Sequence, residues 1–78
     1  MSSVDCKLCV GAREALGLTQ QQLADKAGVS RLTVFNFEQG HNVRPATKQK
    51  IRNALERLGV EFTDGEKPGF LLDPAVVR

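Results

Sequence analysis

Between Ser30 and Gly40 the chain reads Arg31-Leu32-Thr33-Val34-Phe35-Asn36-Phe37-Glu38-Gln39, and two of these side chains have the hydrogen-bonding geometry of base recognition. An arginine meets guanine with two parallel donors, and an asparagine amide pairs with adenine in the same two-point manner. At helical spacing Val34 and Phe37 lie three apart and turn inward, which leaves Arg31, Leu32, Thr33, Phe35 and Asn36 on the outward face. The pair Cys6-Lys7-Leu8-Cys9 is the other candidate for chemistry. A structural zinc takes four ligands, and beyond the two thiols the chain has a single histidine, His41. A redox dithiol ordinarily opens a helix in a strand-helix-strand unit, which is missing here. The pair therefore reads as structural or incidental, with metal binding, redox sensing and an intermolecular link as the alternatives. His41, alone in a polar loop, reads as a solvated side chain. No Gly-rich phosphate loop, carboxylate pair or nucleophile and base stands out, so the sequence does not point to an enzyme.

The elements that would position Arg31 and Asn36 are two short helices with a glycine between them. Thr19 and Ser30 are hydroxyl residues suited to cap each one, and Gly28 stops the first. In that first helix Leu23, Ala24 and Ala27 form a narrow apolar stripe that lets a neighbour approach closely. Together Thr19 to Gly40 form a helix-turn-helix. Upstream, a helix is expected from Asp5, with Asp5 as its cap, Cys9, Ala12 and Leu16 on one face and Gly17 at its end. Downstream, Ile51, Ala54, Leu55 and Leu58 repeat at i, i+3, i+4 and i+7, which predicts a helix over Ala46 to Leu58 closed by Gly59. Val60 to Thr63 and Phe70 to Leu72 read as two short strands around a turn from Asp64 to Gly69, with Asp73 and Pro74 ending the second. A lone hairpin is marginal in water, so this arm needs a surface to cover, either the chain's own helices or a second subunit.

The expected architecture is all-α: a compact bundle of four to five short helices with a central helix-turn-helix, residues 1–59, and a short β-like C-terminal arm, residues 60–78, that could dimerise. Seventy-eight residues allow one small domain. No apolar run approaches the roughly 20 residues of a membrane span, and no signal pattern opens the chain, so the expected location is cytoplasmic. The net charge of +2 says little, but its distribution says more. From residue 31 to 52, Arg31, Arg44, Lys48, Lys50 and Arg52 face Glu38 as the one acid. Beyond Arg52 the acids Glu56, Glu61, Asp64, Glu66 and Asp73 outnumber Arg57, Lys67 and Arg78. A basic centre beside an acidic tail suits one face meeting phosphates, although an ordinary solvated surface would also account for it.

Gly17-Leu18-Thr19-Gln20, Leu23-Ala24, Ala27-Gly28-Val29-Ser30, Val34 and Phe37-Glu38-Gln39-Gly40 together resemble the signature of the Xre/Cro family of DNA-binding domains, which includes the lambdoid phage repressors. The resemblance covers roughly residues 9 to 58. It implies that Gln20 holds a DNA phosphate, that Arg31, Leu32 and Asn36 face the major groove, that Asn42 and Arg44 touch phosphate or reach toward the minor groove, and that Arg13 and Glu38 form an ion pair. The chain departs from the pattern at Phe35, where a polar residue is usual, and at Cys9, where an apolar one is. Base contacts are thus expected from Arg31, Leu32, Thr33 and Asn36, with Leu32 or Thr33 against a thymine methyl. Backbone contacts are expected from Gln20, Asn42, Arg44 and Lys48; a lysine at the opening of a helix opposes the dipole and points to a phosphate instead. The function so implied is a sequence-specific transcriptional regulator, a repressor that binds a palindromic operator in double-stranded DNA as a homodimer. The rival keeps the fold and changes the partner: a protein-interaction module such as an anti-activator or antitoxin, working through Phe35 or the C-terminal arm. Neither reading calls for a cofactor, a metal or a membrane.

Overall fold

A computed structural model describes residues 2–63 and 69–72, with side chains from Cys6 onward. Within them the order is α1 (Ser2–Ala15), α2 (Gln20–Ala27), α3 (Arg31–Glu38), α4 (Pro45–Arg57), β1 (Val60–Thr63) and β2 (Gly69–Leu72). Four helices and a two-stranded antiparallel sheet make the expected helical bundle with its small arm. The turn residues 64–68 and the stop at Asp73 and Pro74 lie outside the described residues.

α1 starts at Ser2 and not at Asp5. The run Ser2-Ser3-Val4 contains neither Pro nor Gly, so nothing in it halts a helix that the following residues favour. α2 opens on a reciprocal cap: the Gln22 N–H donates to Thr19 Oγ1 at 3.0 Å, and the Thr19 N–H donates to Gln22 Oε1 at 2.9 Å. It closes at Gly28, which adopts φ 73°, a left-handed conformation that side-chain-bearing residues rarely take, and which redirects the chain toward α3. The Ser30 hydroxyl then accepts from the Thr33 N–H at 3.1 Å and starts α3. α4 is displaced by one residue from the expected span, with Pro45 at its first position. Arg44 occupies its N-cap without a side-chain capping bond; Leu58 is its C-cap, and Gly59 comes after that cap.

Each element contributes to one core. Leu23 from α2, Val34 from α3, and Ile51 and Leu55 from α4 are fully buried, and Ala12, Ala24 and Ala54 sit where the helices approach closely. Cys6 and Cys9 of α1 and Phe37 of α3 also belong to this core. The arm finds its cover on the chain's own helices. In the ladder, Val60 faces Leu72 and Phe62 faces Phe70; Val60 is buried and the other three pack against the core. The Arg52 guanidinium lies 4.7 Å from the Phe62 ring centroid. Gly11 of α1 makes room for Phe70: a Cβ at Gly11 would stand 3.1 Å from the ring. Glycine inside a helix costs about 0.5–1 kcal/mol relative to alanine, and here the close seat of the ring offsets it. Glu61 and Leu71 form the pair on the outward face, where Leu71 is 58% exposed. Among the described residues no helix is long and apolar enough to cross a membrane.

Candidate nucleic-acid interface

α3 has eight residues, too few to hold a helical form unaided, so its position is set by what its inner side grips. Val34 and Phe37 anchor it in the core. Glu38, at its end, takes three hydrogen bonds on one carboxylate. Arg13 Nε donates to Oε2 at 2.7 Å, Arg13 Nη2 to Oε1 at 3.2 Å, and Gln20 Nε2 to Oε1 at 2.9 Å. Arg13 also donates through Nη1 to the Leu18 carbonyl at 2.7 Å. The Glu38 side chain is 5% exposed and that of Arg13 13%. A charge so far from water must be paired and saturated with hydrogen bonds, and this one is. One carboxylate therefore ties the end of α1, the start of α2 and the end of α3 together. It also removes the single acid of residues 31–52 from the outer surface.

The opposite side of α3 is bare. Arg31 is exposed and, among the described residues, has no ion-pair partner; Leu32 is 61% and Phe35 38% exposed. Thr33 is half-buried, and its hydroxyl lies 2.8 Å from Ser30 Oγ, so the methyl group is what it has left for an apolar contact. Asn36 is half-buried and tied to the following loop. Its Oδ1 lies 3.3 Å from His41 Nδ1, and its main-chain carbonyl accepts from the His41 N–H at 2.9 Å. With Nδ1 as the donor, both amide hydrogens of Asn36 stay available.

The four residues expected at the DNA backbone occupy different settings. Gln20 spends its amide on Glu38, a bond with no local signal in the sequence, and keeps for an anion the main-chain N–H of the first helical position. Asn42 and Arg44 are exposed between α3 and α4. Lys48, half-buried one turn into α4, shares a small cleft with His41 and Asn42. Asn36, His41, Asn42 and Lys48 thus form one polar margin beside α3. The first turn of α4 has no acidic residue, so its N–H groups meet no internal anion. Cys6 and Cys9 are buried and not disulfide-bonded. Among the described residues no group of three or more His, Cys, Asp or Glu could hold a metal ion.

A short helix locked from within, bare outside and followed by a polar loop that ends in Arg44 defines a helix-turn-helix domain of the DNA-binding kind. The model of the helix-turn-helix family of the Cro type matches residues 12–64, and the chain belongs to that family. This is a family of DNA-binding regulators and not of enzymes, which makes the chain a DNA-binding transcription regulator. No curated protein matches the chain.

Proposed function

We propose that the protein is a sequence-specific repressor that binds a palindromic operator as a homodimer, acting on DNA in the cytoplasm. The observation that carries this reading is the division of α3, with every polar demand of its inner side met and Arg31, Leu32, Thr33, Phe35 and Asn36 left on the outside. Arg31 reads guanine, Asn36 reads adenine, and Leu32 or Thr33 meets a thymine methyl. Gln20, Asn42, Arg44 and Lys48 hold the backbone and fix the register. One such helix spans only a few base pairs, so useful specificity calls for two subunits on half-sites about 34 Å apart. The outward face of the hairpin, where Leu71 stands exposed, supports docking of the second copy.

Selection of bound duplexes from a random pool, with the bound stoichiometry measured alongside, tests this. The expected result is an inverted repeat carrying two chains. A single asymmetric site bound by one chain would remove the dimer and the palindrome. Leu32 and Phe35, apolar and exposed one turn apart, favour a second reading in which α3 docks on a protein. A salt series separates the two: phosphate contacts release counterions, so DNA affinity falls linearly on a logarithmic salt scale, while an apolar contact responds far less.

A further inference from the structure

Both cysteines of the chain lie one turn apart on α1, and beyond filling the core they have no part in the DNA reading given above. A helix places the Cα atoms of residues i and i+3 about 5 Å apart, inside the roughly 4.4–6.8 Å that a disulfide spans. A tightly packed thiol is inert, whereas reactive ones sit in electropositive, partly open surroundings. Cys9 itself is 3% exposed, but its packing is not closed on every side. It lines a cleft of about 190 Å³ together with Phe37, Pro45, Lys48, Gln49 and Arg52. At about 30 Å³ per water the cleft holds several, and so also admits a molecule of hydrogen peroxide. Lys48 and Arg52, one turn apart on α4, both line it; the Arg52 guanidinium lies over Phe62 with its Nε 3.8 Å from a Glu56 carboxylate oxygen, so Lys48 is the positive charge the cleft has to offer. Cys6 lines the smaller neighbouring cleft, and Phe37 and Lys48 belong to both.

From this arrangement we infer that Cys9 and Cys6 form a modification site that a hydroperoxide converts to an intramolecular disulfide. The Cys9 sulfur attacks a peroxide oxygen; the S–O bond forms, the O–O bond breaks, and the departing hydroxide takes the thiol proton as water. The Cys6 sulfur then attacks Cys9; the S–S bond forms, the S–O bond breaks, and the hydroxyl leaves with the Cys6 proton as a second water. Two thiols supply two electrons, and one hydrogen peroxide becomes two waters. Lys48 offsets the negative charge on the departing oxygen. Phe37 of α3 lines both clefts, so drawing the two sulfurs together removes packing from behind the DNA-reading helix; this consequence rests on the reading given above.

The test uses the intact reduced chain, hydrogen peroxide and whole-protein mass spectrometry. The expected product is a monomer lacking two hydrogen atoms, formed at a rate that does not rise with urea below the unfolding transition. Lys48→Gln slows that reaction several-fold, and Cys6→Ser stops at a sulfenic acid on Cys9 that dimedone captures. A rate that climbs with the unfolded population, a disulfide between two chains, or no disulfide overturns the site. On a selected duplex, affinity falls several-fold after oxidation and returns with dithiothreitol. A disulfide that leaves affinity unchanged overturns the link to α3. A reduced chain that binds no duplex overturns the DNA reading and leaves the thiol chemistry standing.

Discussion

On its inner side α3 sinks Val34 and Phe37 into the core and gives up the Glu38 carboxylate to Arg13 and Gln20; on its outer side Arg31, Leu32 and Phe35 stand in solvent. The helix thus carries one set of residues that fixes where it lies and another, Arg31, Leu32 and Phe35, that asks nothing of the fold, with Thr33 and Asn36 between them through their bonds to Ser30 and His41. The first set cannot change without cost, because it saturates a buried charge and fills a closed space. The second can change freely, so one scaffold can present different sequence preferences at the same stability.

The sharpest way to break this division is Glu38→Ala, which strands Arg13 away from water and is expected to cost about 3–5 kcal/mol in urea unfolding. A double change, Arg13→Met with Glu38→Leu, should recover much of that loss, because neither charge is then left unpaired. Arg31→Ala is expected to leave the unfolding curve in place while lowering duplex affinity by about 1–3 kcal/mol and relaxing preference at one base position. Equal weakening on every duplex would make Arg31 a phosphate contact. Thr19→Ala removes half of the reciprocal cap on α2 and should cost about 1 kcal/mol of stability, read from the same unfolding experiment. Smallest of all, Leu32→Ala should change stability by no more than about 0.5 kcal/mol, yet abolish the difference in affinity between thymine and uracil at one operator position. A large stability loss there would show that the outer face is not separate from the fold.

The inner set was the more legible in sequence. Val34 and Phe37 at one helical spacing, Ser30 and Thr19 as caps, and Gly28 as a stop are local patterns, and each governs the residues beside it. The pairing of Arg13 with Glu38 entered through the family resemblance, and the geometry bears it out. What no pattern announced were contacts between distant residues. Gln20 turning to Glu38, Asn36 tied to His41, and Arg52 lying over Phe62 all depend on where whole elements come to rest. The start of α1 also escaped, because a plausible cap at Asp5 hid the absence of any breaker before it. The alternation in the arm gave its two strands, but not which of the two available surfaces would cover them.

The seat that Gly11 offers Phe70 has a consequence for synthesis. Phe70 follows all four helices in the chain, so the seat can be filled only after their residues have been made. Before that, the notch on α1 and the apolar side chains beneath the hairpin have no cover from the arm. Docking of β2 closes that notch, joining a late stretch of the chain to its first helix.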